Sequence, residues 1–263
     1  MTESQNLMEG KRGLILGVAN DHSIAWGIAR TLAAQKAEIA LTFQDDNFGK
    51  RVRPLAKSIG AALTMQCDVA DQDSIDAVFA AVQRQWGGLD FVVHAIAFSD
   101  RAELNGRFVD TTRENFARSL DISCYSFTAI ARNAAALMHD GGSILTLTYA
   151  GSRRVMPNYN VMGVAKAALE ASMRYLAADL GPRDIRVNAL SAGPMRTLAG
   201  AAISGSRFVY KWQAENAPLR RGVTLDEIGN AALYLLSDLG SGTTGEIIHV
   251  DAGYNVVGMI ADN

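Results

Sequence analysis

Seven short and nearly continuous apolar runs recur along the 263-residue chain. Runs of this kind are typical of central parallel strands that are covered on both faces. Helical patterns such as "SIAWGIARTLAAQ" and "SIDAVFAAVQRQW" separate them. This alternation predicts right-handed crossovers and a doubly wound α/β sheet. The predicted strands are "RGLILGV", "EIALTFQ", "ALTMQCDV", "LDFVVHAIA", "GSILTLTY", "IRVNALSAG" and "GEIIHVDAG".

One segment interrupts this alternation of strands and helices. Small residues and then aromatic ones fill "AGAAISGSRFVYKWQAENAP", which follows the sixth predicted strand. Ligands of open α/β sheets bind beyond the carboxyl ends of the strands. We therefore expect residues 194–216, approximately, to form a substrate-binding lid, the alternative being a plain pair of surface helices. Because no linker or charge block divides the chain, we expect a single domain over residues 1–263.

The overall composition argues for a soluble globular protein. Apolar residues make up 49% and charged residues 20%, and the net charge is −2. This balance gives no reason to expect binding to nucleic acid or to an anionic membrane. The sequence contains no apolar run near the roughly 20 residues that span a bilayer. The N-terminal "MTESQNLMEGKRGLILG" lacks the basic start and apolar core of a signal peptide, so we expect a cytoplasmic protein.

Cys67 and Cys124 fit neither a metal-binding pattern nor a CxxC pattern. Both lie in apolar surroundings, and free cysteine is among the residues most often buried. We therefore expect two buried, reduced thiols and no metal site.

The first predicted strand ends in "LGVANDHSIAWGIA". Gly17 permits a tight turn, and Ser23 and Ile24 open the helix that follows. The free N–H groups and the dipole of a helix start favour a pyrophosphate. The spacing is not GxGxxG, so an ordinary β–α turn is the alternative. The position of the motif directly after the first strand favours the binding of a dinucleotide cofactor.

The second predicted strand ends in "TFQDDN", where it should face the adenosine ribose. A 2′-phosphate there would require a basic side chain. The chain instead has Gln44, Asp45 and Asp46, and carboxylates repel a phosphate dianion. This pattern favours NADH over NADPH, unless Lys50 or Arg51 folds back towards the ribose.

The third predicted strand ends in "CDVAD". Asp68 can accept a hydrogen bond from the adenine amino group, and the backbone of Val69 can pair with the ring. The alternative is that Asp68 caps the following helix, although Asp71 and Asp73 are better placed as caps.

The segment "TLTYAGSRRVMPNYNVMGVAKAALEA" contains Tyr149, Tyr159 and Lys166. A tyrosine and a lysine on one helix face can polarise a substrate carbonyl beside a nicotinamide. Tyr159 precedes Lys166 by seven residues, which is almost two turns, so both lie on one face about 10 Å apart. Both side chains can therefore converge on one molecule bound between them. The alternative is an aromatic residue at a helix start and a solvated lysine.

The sequence resembles the bacterial enoyl-acyl carrier protein reductases, a divergent branch of the short-chain dehydrogenase/reductase superfamily. The resemblance covers nearly the whole chain and rests on "SIAWGIA", "QCDVAD", "DISCYSF", "PNYNVMGVAKAALEASMRYLA", "IRVNALSAGPMRTLA" and the Tyr-x6-Lys spacing. It implies a Rossmann-type fold with a seven-stranded parallel sheet. It also implies reduction of trans-2-enoyl thioesters to acyl thioesters by NADH, in type II fatty acid synthesis.

The resemblance also implies roles for single residues. Tyr159 matches the catalytic tyrosine that stabilises the enolate oxygen, and Lys166 matches the lysine that binds the nicotinamide ribose. Tyr149 matches a second tyrosine with catalytic influence at the substrate. The remaining cofactor positions are Gly17, Ser23, Ile24, Gln44, Asp68, Val69, Ala95, Ile96, Ala97, Met195 and Thr197. The substrate positions are Ala97, Tyr149, Tyr159, Met162, Pro194, Leu198, Ile203 and Phe208.

The implied partners are the acyl carrier protein that brings the substrate and three further copies of the chain in a homotetramer. Carrier proteins of this kind are acidic, so we expect a local basic docking site at Arg207 and Lys211. Solvated surface charge is the alternative.

Two other functions fit parts of the sequence. A carbonyl reductase of the same superfamily would have a tyrosine four residues before Lys166, where Met162 stands. A protein that binds NAD(H) as a sensor without turnover would not need Tyr149, Tyr159 and Lys166 together.

Overall fold

A computed structural model of the chain describes residues 6–259 and, within them, every side chain except those of Ala199 and Ala202. Its centre is one seven-stranded sheet in the order β3-β2-β1-β4-β5-β6-β7. All six neighbouring strand pairs are parallel. The predicted doubly wound α/β sheet is therefore confirmed. The strands are β1 (Arg12–Leu16), β2 (Glu38–Phe43), β3 (Leu63–Gln66), β4 (Phe91–His94), β5 (Gly142–Thr148), β6 (Ile185–Ala192) and β7 (Ile247–Val250).

Helices cover both faces of this sheet. One apolar layer joins the sheet to α3, α5 and α6, and the other joins it to α1, α2 and α9. The helices are α1 (Ile24–Ala34), α2 (Asp46–Ser58), α3 (Gln72–Trp86), α4 (Arg113–Leu120), α5 (Ser126–Leu137), α6 (Asn160–Leu180), α7 (Leu198–Ala202), α8 (Ser206–Asn216) and α9 (Leu225–Leu236). Among the described residues, no helix combines the length and the apolar character that crossing a bilayer requires.

The central strands are largely apolar because both of their faces are buried. Side chains alternate between the faces of a strand. Leu14 and Leu16 accordingly pack into one apolar layer and Ile15 into the other. All three side chains are fully buried.

Several predicted strands are longer than the observed ones. The run "LDFVVHAIA" leaves the sheet after His94, and residues 95–97 form part of a cavity wall. They are apolar because they line that cavity. Sequence periodicity cannot distinguish an apolar residue that lines a cavity from one that is buried within a strand. The strand order reverses between the neighbours β1 and β4, because the chain adds β2 and β3 on one side of β1 and then β4 on the other. Open α/β sheets bind ligands at such a switch point.

Candidate active site

A cavity of about 550 Å³ opens at the carboxyl ends of the strands. Its size and its largely apolar lining are typical of sites for small molecules and cofactors. The structure brings together along this cavity every site residue expected from the sequence except Phe208. Those residues are Gly17, Ser23, Ile24, Gln44, Asp68, Val69, Ala95, Ile96, Ala97, Tyr149, Tyr159, Met162, Lys166, Pro194, Met195, Thr197, Leu198 and Ile203.

The turn after β1 shapes one end of the cavity. Gly17 has φ +96°, and a Cβ atom there would lie 2.1 Å from the carbonyl oxygen of Ala95. The Ser23 hydroxyl accepts hydrogen bonds from the backbone N–H groups of Ala19 and Asn20, both at 3.1 Å. Ser23 thereby folds the loop, and its side chain does not cap α1. The N-terminal N–H groups of α1 therefore suit a pyrophosphate.

The loop after β2 faces the cavity through Gln44. The Asp45 carboxylate caps α2, accepting hydrogen bonds from two backbone N–H groups of its first turn. Lys50 and Arg51 lie within α2 and are not among the residues that line the cavity. Asp45 does not line the cavity either, but it follows Gln44 directly, so its negative charge lies next to the residue that faces the expected ribose site.

The loop after β3 separates two alternatives that the sequence left open. Asp71 caps α3, its carboxylate accepting a hydrogen bond from the N–H of Asp73 at 3.0 Å. Asp68 is not the cap of α3. It accepts from the N–H of Ala70 at 3.1 Å and lines the cavity together with Val69. Asp68 therefore lies where an adenine amino group could reach it.

Both cysteines are free and buried, as the sequence predicts. Cys67 also lines the cavity. Burial, followed by the nearby charge of Asp68, raises the pKa of the Cys67 thiol to about 12. Cys67 therefore stays protonated and acts as an apolar wall rather than as a nucleophile.

Tyr149 and Tyr159 meet at the other end of the cavity. Tyr149 follows β5 directly, and Tyr159 is the N-cap residue of α6. Their ring centroids lie 5.1 Å apart in an edge-to-face arrangement. Burial raises the pKa of each hydroxyl above its ordinary value, so both remain protonated at neutral pH. Each is therefore a hydrogen-bond donor.

Lys166 lies further along α6 on the same side of the cavity. It is 5% exposed, and its Nζ atom donates a hydrogen bond to the carbonyl oxygen of Leu147 at 2.7 Å. The interpretation of Lys166 as a solvated surface lysine is therefore wrong. Burial lowers the pKa of Lys166 to about 8, while nearby Cys124 and Glu170 act in the opposite direction.

A small apolar cluster surrounds the tyrosines. Leu104, Tyr159 and Met162 form its buried centre, and Tyr149, Met156 and Ile203 pack against it. This cluster can receive an apolar chain beside the Tyr159 hydroxyl. The remaining expected substrate residues, Pro194 and Leu198, line the cavity where α7 begins.

The expectation that Phe208 lines the acyl pocket is wrong in this structure. Phe208 is 60% exposed, and its ring lies 5.8 Å from that of Trp212 on the outer face of α8. Ser206, Val209 and Tyr210 line the cavity instead. Their spacing of three and four residues marks one helix face, and Phe208 lies off that face.

Leu104 is a further residue that reasoning from the sequence missed. It belongs to the loop after β4 and is 5% exposed. Asn160, at the start of α6, donates a hydrogen bond to the backbone carbonyl of Leu104 at 3.2 Å. This long-range contact brings the loop over the tyrosines, and no periodicity in the sequence indicates it. The helical period of residues 206–210 places Ser206, Val209 and Tyr210 on one face, but it does not decide which face of α8 turns inwards.

A doubly wound sheet with a cavity at its switch point is the architecture of dinucleotide-binding proteins. Comparison with known proteins narrows this class. The family model described as enoyl-(acyl carrier protein) reductase matches residues 17–255. The chain belongs to this family, as the sequence motifs indicate.

Individual relatives agree with this assignment. The chain is 63% identical to enoyl-[acyl-carrier-protein] reductase [NADH] 1 of Rhizobium meliloti over 261 residues, 99% of this chain and 96% of the relative. The enoyl-(acyl-carrier-protein) reductase of Anaplasma phagocytophilum, solved in complex with NAD, is 60% identical with a TM-score of 0.92, over 96% of this chain and 95% of that one. FabI from Candidatus Liberibacter asiaticus is 54% identical with a TM-score of 0.95, over 97% and 99%.

Proposed function

We propose that this chain is an NADH-dependent enoyl-[acyl-carrier-protein] reductase, which converts trans-2-enoyl thioesters to acyl thioesters in type II fatty acid synthesis. The observation that carries the proposal is the position of Tyr159 and Lys166. Tyr159 is the N-cap residue of α6, Lys166 lies seven residues further on within α6, and both buried side chains line one cavity. The relatives' names and the NAD bound to one of them support the same reaction. The proposal includes a cytoplasmic location.

The residues along the cavity fit a dinucleotide. The start of α1 would hold the pyrophosphate, Gln44 and Asp68 the adenosine, and Lys166 the nicotinamide ribose. When bound there, NADH supplies a hydride to the β-carbon of the substrate.

Hydride addition at the β-carbon gives an enolate, with negative charge on the former thioester carbonyl oxygen. A proton taken up at the α-carbon then completes the acyl thioester. The Tyr159 hydroxyl donates a hydrogen bond to the enolate oxygen, and a preorganised donor in a water-poor site stabilises such charge strongly. Its raised pKa keeps the proton on Tyr159, as donation requires. Lys166, protonated below a pKa of about 8, adds positive charge on the same side. Tyr149 packs against the ring of Tyr159 and restricts its orientation.

Two assays test the function against its alternatives. NADH oxidation should be rapid with crotonyl thioester, and acetoacetyl thioester should give no more than the rate without substrate. A carbonyl reductase would give the opposite order of rates. Met162 argues against that function, because it lines the cavity at the position where a carbonyl reductase would have a tyrosine. A sensor would bind NADH and oxidise it with neither thioester.

Cofactor preference follows from the charges near the expected ribose site. We predict that NADH exceeds NADPH in kcat/KM by at least about tenfold, because Asp45 opposes a 2′-phosphate. Parallel assays with the two cofactors measure this ratio. Equal values would show that Lys50 or Arg51 reaches the phosphate. Asp45→Asn, which retains a capping oxygen, should narrow the difference by improving the NADPH reaction.

Residues 194–216 form the proposed lid over the substrate. α7 and α8 occupy this segment, and the inner face of α8 lines the cavity through Ser206, Val209 and Tyr210. Arg207 and Lys211 are exposed on α8, and Lys211 forms an exposed ion pair with Glu215 at 3.6 Å. Exposed pairs of this kind contribute little to stability and can exchange partners. The two cations are therefore available to acidic groups of a carrier protein.

Reversal of both charges, Arg207→Glu with Lys211→Glu, should raise KM for a carrier-bound enoyl substrate by about tenfold at low salt. Added salt should reduce the difference because exposed charges are screened. The coenzyme A thioester should be affected less. Lys57→Glu with Arg84→Glu, two exposed positions on α2 and α3, is the matched control. Equal losses with both substrates would contradict docking at α8.

We also propose that four copies assemble. Large apolar side chains are exposed on α4, on α6 and in the π-helical segment Asp121–Tyr125 between α4 and α5, where they would pack against another copy. These side chains are Phe116 at 37%, Tyr125 at 53%, Val164 at 36% and Tyr175 at 76% exposed. Closed symmetric homo-oligomers commonly bury such surfaces.

Light scattering at micromolar concentration should give the mass of a tetramer. Tyr175→Glu should shift the mass towards smaller species, because it places a charge in the proposed contact. A monomer for the wild-type chain would contradict the assembly.

A further inference from the structure

A buried carboxylate that the proposed mechanism does not use lies behind the two tyrosines. Glu170, on α6, is 5% exposed. Its Oε1 atom accepts a hydrogen bond from the Thr148 hydroxyl at 2.6 Å and another from the Ser152 hydroxyl at 2.5 Å. Carboxylates are rarely buried without compensation because burial removes their hydration. Two short hydrogen bonds to one oxygen compensate Glu170 and fix both hydroxyls.

These two hydroxyls hold the backbone on which both tyrosines depend. Thr148 ends β5, Tyr149 follows it, and Ser152 closes the short turn after Tyr149. Within that turn, a Cβ atom on Gly151 would lie only 2.4 Å from the ring of Tyr159. The turn is therefore in close contact with Tyr159. A shift of residues 148–152 would move Tyr149 directly and change the support beneath Tyr159.

Glu170 also lies one helical turn after Lys166. Residues four apart on a helix are neighbours, about 6 Å apart along its axis. Lys166 bonds to the carbonyl of Leu147, and Glu170 bonds to the hydroxyl of Thr148, the next residue. The two side chains thus anchor α6 to the same end of β5. Arg153 is another cation near Glu170: its Nε atom lies 3.7 Å from Oε2, and its side chain is 58% exposed.

We propose that Glu170 is a positioning residue of this active site. Its carboxylate holds the turn that carries Tyr149 and supports Tyr159, and it supplies a negative charge one turn from Lys166. The proposal rests on the proposed reductase function for its kinetic effects. Its effect on Lys166 requires only that the chain binds NADH.

The charge of Glu170 has a consequence for pH dependence. Burial lowers the pKa of Lys166 to about 8, and Cys124 and Glu170 raise it against that effect. His94, on β4, is buried, and its lowered pKa of about 3 keeps it neutral near Lys166. Tyr159 faces the site with a raised pKa and is also neutral. Since Glu170 opposes the effect of burial, loss of its charge should lower the pKa of Lys166 further.

Two conservative variants separate charge from position. Glu170→Gln keeps an oxygen that accepts from both hydroxyls but removes the charge. The ratio of kcat/KM at about pH 9 to that at about pH 7 should fall by about threefold or more relative to wild type. Glu170→Asp keeps the charge but is one methylene shorter, so it cannot hold both hydroxyls. It should lower kcat by about 10-fold to 100-fold through misplaced tyrosines, with KM for NADH nearly unchanged.

Glu9→Gln, at an exposed carboxylate, is the control and should retain the wild-type values. Ser152→Ala removes one of the two donors to Glu170 and should lower kcat several-fold. This variant also tests the proposal if neither Glu170 variant folds. Thermal unfolding and circular dichroism identify the folded variants.

A purely structural role would lower the melting temperature while leaving the kcat and the pH profile of the folded variants at wild-type values, and this result would overturn the proposal. NADH affinity as a function of pH, followed by nucleotide fluorescence, provides a second readout without turnover. As the pH rises, Lys166 loses its charge and NADH affinity weakens. In Glu170→Gln this weakening should begin at a lower pH than in wild type. Failure of the wild-type chain to reduce an enoyl thioester would contradict the proposed function, and the affinity profile would still decide the inference about Glu170.

Discussion

Tyr159→Phe should lower kcat for a trans-2-enoyl thioester by about 10²–10³, the usual cost of removing one oxyanion donor. The substitution keeps the ring that packs edge-to-face on Tyr149 at 5.1 Å. It removes only the hydroxyl, whose proton the raised pKa retains for donation to the enolate oxygen. The apolar cluster around Leu104 and Met162 should therefore keep its packing.

Steady-state kinetics and NADH binding by fluorescence separate this effect from a loss of cofactor. The dissociation constant for NADH should stay within about twofold of wild type, because Tyr159 faces the substrate. Tyr149→Phe is the matched comparison, since it removes the neighbouring hydroxyl and should lower kcat less. Unchanged turnover in Tyr159→Phe, or a larger loss in Tyr149→Phe, would assign the enolate contact to another group.

Lys166→Met should weaken NADH binding by about 10-fold to 100-fold, which corresponds to the loss of one hydrogen bond from a charged donor. It should lower kcat as well, because the positive charge near the developing enolate is lost. Methionine has nearly the length of lysine and suits a side chain that is only 5% exposed. The substitution removes the hydrogen bond to the Leu147 carbonyl, so thermal unfolding must first show that the variant is folded.

Isothermal titration with NADH and with NAD⁺ gives the binding effect directly. If Lys166→Met bound NADH as tightly as wild type and lost only turnover, the lysine would act on the substrate alone. If it lost binding with kcat unchanged at saturating NADH, its charge would have no part in stabilising the enolate. We expect both quantities to change.

The fold follows closely from local patterns in the sequence. Continuous apolar runs predicted the seven strands because a central parallel strand is buried on both faces. The turn at Gly17 and the helix start at Ser23 were also readable, since backbone conformation and free N–H groups depend on a few adjacent residues. The seven-residue spacing of Tyr159 and Lys166 predicted that both side chains reach one bound molecule, and in the structure both line one cavity. Together with the motifs of the family, these local features identified residues that the structure brings together along one cavity.

The tertiary structure decided what depends on contacts between distant segments. α8 turns Val209 and Tyr210 inwards and Phe208 outwards, because its orientation is set by packing against the rest of the molecule. Leu104 reaches the tyrosines through a loop that is held by the start of α6. Glu170 reads in the sequence as an ordinary charged position on a helix. Only the packing of α6 on the end of β5 buries its carboxylate among hydroxyl groups, since burial and hydrogen-bond partners arise from neighbours far apart in the chain.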